Sequence, residues 1–576
     1  MSDVGKYLLA GVEPSDDRRF AAPPPRLECK LEVLIDGVAT FRAMERAIVS
    51  AKKSVYLSFW IFNPATPLLA PDVRRTGAST WADLLRSVAA RGVQVRILLS
   101  DFDPIIRDAL HASNWHAYHR LVAEAGRLGV SARNRMQTMV TRHPATVSFL
   151  LGGELATRLA TRVRTLNGKT GVDIARLRTR PGLWTLLDYN TKTKRVTIRE
   201  EVPLAAFPAT HHQKICVVDD VVALSGGLDV NTGRIDNPAH QSDRTAWHDL
   251  HTKLEGAAAL DIARNFIGRW NDERAAFLNF RDEANKAGMP TSLPAQAITT
   301  LSLTATRVTA AGTSAVQVHR TMSSPSLVLP VPTTVVDDVA RAYEHAITNA
   351  ERYIYIENQY VRSLDLRDWI IKRTTERTDL VVIVVLPVAP EEVGAKGGAD
   401  PITEHGLHLQ HEVLTSLAAT LGSHFGMFSM VQRKRAPRHA TDSFGSRQIY
   451  LHSKCLIVDD VVALIGSANA NPRSFQVDTE LNVGWYDPAL VPKFRVALWS
   501  ELLGSPKGMA TWKPADYVSK WAAIATANKN ADPTKRKGFV VRHDPARFPG
   551  KKGPWYLPDA FASVFDPETD REALPT

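Results

Sequence analysis

One pattern occurs twice in this chain. His212 to Leu224 reads HQKICVVDDVVAL, and His452 to Leu464 reads HSKCLIVDDVVAL. Each copy runs on into a turn of small residues, Ser225-Gly226-Gly227-Leu228-Asp229 in the first and Ile465-Gly466-Ser467-Ala468-Asn469 in the second. The match extends upstream: Ala43 to Ile48 leads into Val55-Tyr56-Leu57, and Ala342 to Ile347 leads into Ile354-Tyr355-Ile356. A chain that repeats itself at this scale folds as two copies of one unit. Two such copies pack about a pseudo-two-fold axis, which brings equivalent residues together.

The 576 residues exceed what one core holds, in keeping with two fused halves. Segments with helical periodicity, Trp81 to Arg91 and Leu407 to Leu421, alternate with apolar runs at Val93 to Leu99 and Leu380 to Leu386. Runs of that kind are strands buried on both faces. The fold expected is α/β: two pseudo-symmetric halves, each a mixed β-sheet flanked by helices. Residues 1–287 form the first half, with an insertion at about 137–200. Residues 288–332, rich in Ala, Thr, Ser and Pro, form a connecting segment with one strand at Val316 to Thr321. The second half is 333–505, and 506–576 is a basic tail (Lys535-Arg536-Lys537, Lys551-Lys552) read as an arm wrapping the surface. The insertion carries Phe149-Leu150-Leu151 and an amphipathic stretch, Leu155 to Leu166, and is either a helical cap or a lid that touches membrane.

Other features bound the setting. The longest apolar run stops at Pro387, far short of the roughly 20 residues that cross a bilayer. Three cysteines, Cys29, Cys216 and Cys455, make no disulfide framework, and the latter two sit mid-strand as small hydrophobes. The first residues lack a basic stretch followed by an apolar one, so no secretory signal is expected. A cytoplasmic or peripheral membrane protein, or export that needs no such signal, fits. The net charge of +11 suits an anionic partner: lipid headgroups, nucleic acid or phosphorylated small molecules.

The motif's spacing carries chemistry. His452 and Lys454 lie two apart, so on an extended strand both side chains leave one face; His212 and Lys214 repeat this. Asp219 and Asp459, seven residues on, fall at a hairpin end and read as turn-forming. Gly226, Gly227 and Gly466 let the backbone come close, with Ser467 and Asn469 as donors. A lone HxK says little. Two copies inside a wider repeat, each with a glycine fourteen residues after the histidine, are more than two decorated hairpins. Cleaving a phosphodiester requires fixed cations on the phosphoryl oxygens, a nucleophile and a proton donor. Two lysines and two histidines, one ring neutral and the other protonated, supply all three.

These residues resemble the duplicated HxKx4D mark of the phospholipase D superfamily. Their surroundings resemble its eukaryotic-type phospholipases: His211-His212-Gln213-Lys214, Gly226-Gly227-Leu228-Asp229, Gly233-Arg234-Ile235-Asp236 and Trp247-His248-Asp249-Leu250-His251. So do Leu254-Glu255-Gly256 with Asn265-Phe266 and Arg269-Trp270, and Ile356-Glu357-Asn358-Gln359-Tyr360. Gly466 to Asn469 with Arg473-Ser474 and Asp478-Thr479-Glu480 completes the set. The resemblance covers most of residues 40–285 and 316–500, and it carries over no calcium dependence.

The resemblance implies that His212 attacks phosphorus, forming a phosphohistidine, and that His452 is the general acid. It places Glu480 behind His212 and Asp249 behind His452. The symmetry of the sequence assigns neither ring its role. Asp229 stands where the second copy has Asn469, which leaves its contact with phosphate open. Gly227, Asn469 and Ser467 belong to the substrate site. Asn358 and Gln359 either line the headgroup pocket or cap a strand end. Arg433-Lys434-Arg435 with Arg438 either docks anionic lipid or is a solvated loop. Lysines stand where a metal site would have carboxylates, so no catalytic metal and no cofactor are expected.

The activity implied is that of a phospholipase D, giving phosphatidic acid and an alcohol, with headgroup exchange when an alcohol replaces water. Its rivals are a phosphatidyltransferase of cardiolipin-synthase type, a nuclease of the same superfamily and a basic membrane-binding module with a relict site. The lipase-type segments argue against nucleic acid as partner. The partner expected is a phospholipid surface. Both motifs in one chain imply a monomer. Such a core without accessory modules resembles bacterial lipase effectors delivered by type VI secretion, whose partners are a secretion component and an immunity protein.

Overall fold

Val, Ile and Leu runs without polar alternation build the sheets. The computed structural model describes residues 2–13, 20–145, 152–200, 202–242, 246–305, 308–326, 332–390, 393, 401–436 and 439–552. In the first half the strands that position the site are β1 (Arg26–Ile35), β2 (Ser54–Phe59), β3 (Gln94–Ser100), β4 (Met136–Thr141), β5 (Ile215–Val218), β6 (Val222–Gly226), β7 (Trp247–His248) and β8 (Leu250–Glu255). In the second they are β9 (Ser314–Ser324), β10 (Tyr353–Asn358), β11 (Val381–Val385), β12 (Phe425–Met430), β13 (Tyr450–Leu451), β14 (Lys454–Val458), β15 (Val462–Gly466), β16 (Glu480–Tyr486) and β17 (Val540–Arg542). The helices that matter are α1 (Asp36–Ser50), α2 (Trp81–Ala90), α3 (Asp108–Gly126), α4 (Gly152–Leu166), α5 (Ala257–Lys286), α6 (Asp338–Thr348), α7 (Leu364–Glu376), α8 (Pro401–Leu421), α9 (Val491–Leu503) and α10 (Tyr517–Asn530).

Across the first half the strand order is β1-β8-β6-β5-β2-β3-β4; across the second it is β9-β16-β15-β14-β10-β11-β12, the same order position for position. β2, β3 and β4 are parallel, as are β10, β11 and β12. The motif hairpins β5–β6 and β14–β15 run antiparallel to them. Each half is thus a mixed sheet. β1 pairs antiparallel with β9 across a bulge, Arg26 opposite Val316 and Cys29 opposite Ser314, so the two sheets join edge to edge.

Alternate residues of the second sheet face opposite helix layers. Ile354, Ile356, Val382, Val384 and Leu456 pack in one core with Val339 and Tyr343 of α6, Ile370 of α7 and Leu417 of α8. Tyr355, Ile383, Val385 and Ile457 pack in the other with Trp499 of α9 and Trp521 of α10.

Three boundaries differ from the sequence reading. Met136 to Thr141, counted with the insertion, is the edge strand β4, because its unbroken burial suits a place beside β3. The rest of the insertion packs as α4, whose Leu155, Leu159 and Leu166 are buried, and a hairpin at Leu187–Asn190 and Arg195–Ile198; Phe149-Leu150-Leu151 lies outside the described residues. The strand expected at Val316 to Thr321 is present as part of β9, but it belongs to the second sheet as the counterpart of β1 and not to a connecting segment. The tail is not a surface arm as far as residue 542. Trp521 is fully buried 5.2 Å from the ring of Phe428, and β17 extends the sheet beyond β12. Arg536, read as part of that arm, is 2% exposed and donates to the Asn528 carbonyl and the Ser446 hydroxyl. Lys551 and Lys552 are exposed.

Candidate active site

The two motifs meet because each is stitched to the other half. The His212 N–H donates to the carbonyl of Thr479 (2.9 Å), and the His452 N–H donates to that of His248 (2.8 Å). β7 pairs in parallel with β13, and His211 bridges Thr479 in the same sense. Each histidine therefore precedes its hairpin strand and bonds across the pseudo-two-fold axis. His212, Lys214, His452 and Lys454 are all 3% exposed or less.

Behind each ring stands a carboxylate from the opposite half. Nδ1 of His212 is 3.0 Å from Oε1 of Glu480, and Nδ1 of His452 is 2.7 Å from Oδ2 of Asp249. Such a pair fixes the ring's tautomer and orientation. The need for glycine nearby has the same origin. A Cβ on Gly227 would lie 2.1 Å from Oδ1 of Asp249, and one on Gly466 would lie 2.0 Å from Oδ1 of Asn482. Ser467 occupies the position equivalent to Gly227. Its hydroxyl donates to Oε2 of Glu480 and accepts from the Leu481 N–H. Ser467 thus holds the carboxylate, where the sequence reading had it donate to substrate, because the longer glutamate reaches it first.

Burying two ammonium groups costs several kcal/mol each unless they are bonded. Lys214 Nζ donates to its own motif's His212 carbonyl (2.9 Å) and lies 3.3 Å from Oδ2 of Asp229. Lys454 Nζ donates to the His452 carbonyl and to Oε1 of Gln359 (2.9 Å). Gln359 also donates to the Tyr450 hydroxyl. Asn358 accepts from the N–H groups of Tyr360 and Ala470, so it braces the strand end. Asp229 accepts from the Ile61 N–H (3.0 Å), which ties it to the fold in the place where Asn469 stands in the second copy. Asn469 is fully buried, and neither its amide nitrogen nor its oxygen has a hydrogen-bond partner among the described residues.

The electrostatics of the two pairs differ. Burial alone would raise Glu480, but the His212 ring and Lys214 outweigh it and hold the carboxyl below its ordinary range. Burial pushes Asp249 up to about 6 against the pull of Lys454. His452 is driven well below the usual imidazole range by burial first, then by Lys454, Arg234 and Lys214. That Lys214 and His212, from the first motif, act on His452 in the second marks one shared site.

Asp219 and Asp459 lie elsewhere. Asp219 accepts from the N–H groups of Lys52, Lys53 and Ser54, and Asp459 from those of Glu351, Arg352 and Tyr353. Both have left-handed backbone, φ 54° and 58°, which aspartate tolerates better than most residues. Cys216 and Cys455 are buried thiols raised by burial, Cys216 to about 12. Arg438 lies outside the described residues, and Arg435 is ion-paired to Asp532.

Sequence reasoning missed Trp60. Its ring stands edge-on to His212, centroids 5.4 Å apart, and Lys214 Nζ lies 5.5 Å from the indole. The register makes Trp60 the counterpart of Gln359, so aligning the two copies past the strand end would have found it. Gln213 was named only as part of a motif. Its amide donates to the Glu480 carbonyl and accepts from Asn265 and Arg269.

Fold and site define a duplicated histidine–lysine protein with one composite centre. Stretches of the chain match family models of the phospholipase D superfamily. The family model described as phospholipase D matches residues 239–390, and that described as cardiolipin synthase, PLD-like domain, matches 343–501. Phospholipase D alpha 1 of Nicotiana tabacum is 24% identical over 564 residues, covering 80% of this chain and 63% of its own. Phospholipase D2 of Bos taurus is 25% identical over 513 residues, covering 82% and 51%. The chain spans about half to just under two thirds of the length of these curated relatives. Among solved structures, phosphatidylserine synthase of Haemophilus influenzae Rd KW20 superposes with a TM-score of 0.46 and 14% identity, covering 88% of this chain and 97% of its own. No helix among the described residues is long and apolar enough to cross a membrane.

Proposed function

We propose that the chain is a phospholipase D that hydrolyses the headgroup phosphodiester of a glycerophospholipid to phosphatidic acid and a free alcohol. The observation that carries this reading is the pair of imidazoles, each backed by the opposite half's carboxylate and flanked by a buried ammonium. With Nδ1 of each ring on its carboxylate, Nε2 does the chemistry. Nε2 of His212 attacks phosphorus, the bond to the headgroup oxygen breaks, and His452 passes its proton to that oxygen. His452 then takes a proton from water, the hydroxide forms the new P–O bond, and the P–N bond to His212 breaks. Lys214, Lys454 and Asn469 offset the charge on the phosphoryl oxygens. His452 has to hold a proton in the first step, against the burial and cations that lower it. The negative charge of the phosphodiester between the rings opposes them. One chain carries both motifs, so a monomer suffices.

The test offers vesicles of phosphatidylcholine, phosphatidylethanolamine or phosphatidylglycerol, and plasmid DNA, in buffer with a brief EDTA treatment. Choline or ethanolamine release that survives EDTA and is lost in His212→Ala supports the reading. Cleavage of DNA alone overturns it. The match to a cardiolipin-synthase model over 343–501 favours a second reading, in which a lipid alcohol replaces water as acceptor. Cardiolipin formed from phosphatidylglycerol, with little phosphatidic acid, would select it.

A further inference from the structure

Behind the His452–Asp249 pair lies a second buried cluster that the proposed reaction does not use. Asp36 opens α1, His240 lies in the loop before β7, His248 is in β7, and Glu501 comes from α9 of the other half. Asp36 and His248 are fully buried, His240 is 1% exposed, and the donor atoms of all four lie within 4.8 Å of one another.

We propose that these four residues bind one divalent transition-metal ion, of the Zn2+ class, which staples the two halves together. Two imidazoles and two carboxylates are a donor set for such an ion. Nδ1 of His248 is 3.0 Å from Oδ1 of Asp36 and 3.0 Å from Oε1 of Glu501. Nε2 of His240 is 3.3 Å from Oε1 of Glu501 and 3.9 Å from Oδ2 of Asp36. Four ligands at about 2.0–2.1 Å from one ion in a tetrahedron stand about 3.3 Å apart, so these separations scatter about the edge of such a polyhedron.

Two imidazolium–carboxylate pairs would balance the same charges, and hydrogen bonds account for the contacts of His240 with Glu501 and Asp236, but not for those of His248 and Asp36. Neither ring nitrogen of His248 makes a hydrogen bond of acceptable direction among the described residues, although carboxylate oxygens lie 3.0 Å from both. Oδ2 of Asp36, sealed from solvent, has no hydrogen-bond partner among them either. One outer nitrogen, on His240, has the supporting carboxylate that metal-bound histidines usually have. Nδ1 of His240 is 3.1 Å from Oδ2 of Asp236, and Nε2 of His248 is 3.0 Å from Oε1 of Glu357.

The ion is structural and touches no reacting atom. It reaches the site through the backbone: the His248 carbonyl receives the His452 N–H, and the Asp36 N–H donates to the Asp249 carbonyl (2.8 Å). Being buried, it exchanges slowly and survives a brief chelator treatment.

The full chain, purified and desalted, is analysed for metal by mass spectrometry. One Zn2+ per chain is expected. Removal with dipicolinate on warming lowers Tm by several degrees, and Zn2+ restores it. Co2+ put in its place gives the visible absorption of a four-coordinate site. Glu501→Gln, nearly isosteric, loses the metal and the Co2+ band. His240→Cys, which keeps a ligand, retains metal, whereas His240→Asn does not. A folded chain without bound metal, whose Tm neither chelator nor Zn2+ moves and which gives no Co2+ band, overturns the proposal and leaves the cluster as two protonated ion pairs. That outcome leaves the lipase reading intact, since lipid cleavage is scored separately.

Discussion

At the residue scale, the proposed catalysis turns on which atom stands behind each ring. Glu480→Gln keeps the shape beside His212 and removes the charge, so activity falls by about 10²- to 10⁴-fold with Tm near that of the parent, measured by choline release and calorimetry. Activity within a few-fold of the parent would mean that the carboxylate only fills space. Gly227→Ala drives a methyl group against Asp249 and displaces it, so a loss of similar size is expected without contact to substrate. Much of this was legible in the sequence. The four motif residues come from the repeat, whereas Asp249 and Glu480 come from the family resemblance. Ser467 was misread because a strand-end hydroxyl gives no sign of which acceptor it meets first. Trp60 was missed because an aromatic after a buried strand reads as core.

At the element scale, paired aspartates hold the hairpin ends. Asp219→Ala strands the N–H groups of Lys52, Lys53 and Ser54 and costs about 2 kcal/mol by urea denaturation, with kcat of the folded fraction unchanged. A selective loss of kcat would instead make Asp219 catalytic. α2 opens with a capping box, Thr80 accepting from the Asp83 N–H while Asp83 accepts from the Thr80 N–H and from the Ser79 and Thr80 hydroxyls. Burial would raise Asp83, but these hydroxyls outweigh it and lower it from 3.8 to about 2. A depressed carboxyl stabilises the fold above its unfolded value and loses that effect as pH falls through the folded one. The stability gap between the parent and Asp83→Ala, about 1 kcal/mol, is therefore full above pH 4 and closes towards pH 2. A gap that stays constant to pH 2 would contradict this. The strand cores β3 and β11 were legible as unbroken apolar runs. The strand in β9 is legible, but its place in the second sheet is not, because Ala, Thr and Ser dominate the stretch around it, and α10 reads as tail because its lysines mask Trp521.

At the scale of the whole molecule, duplication explains why one chain holds a complete centre. Two seven-strand orders of the same sequence join through β1 and β9, and each half lends its carboxylate to the other's histidine. That exchange is invisible to strand periodicity, and only the wider family resemblance pointed to it. It predicts that His212→Ala and His452→Ala each abolish turnover, since neither half can act alone. The most direct measurement is to trap the covalent intermediate: react the chain with a short-chain phosphatidylcholine, quench in alkali, and map the adduct by peptide mass spectrometry. A phosphatidyl group is expected on His212 in the parent chain and is absent from His212→Ala. An adduct on a residue outside both motifs, or full turnover after either histidine is removed, would contradict a shared two-histidine centre.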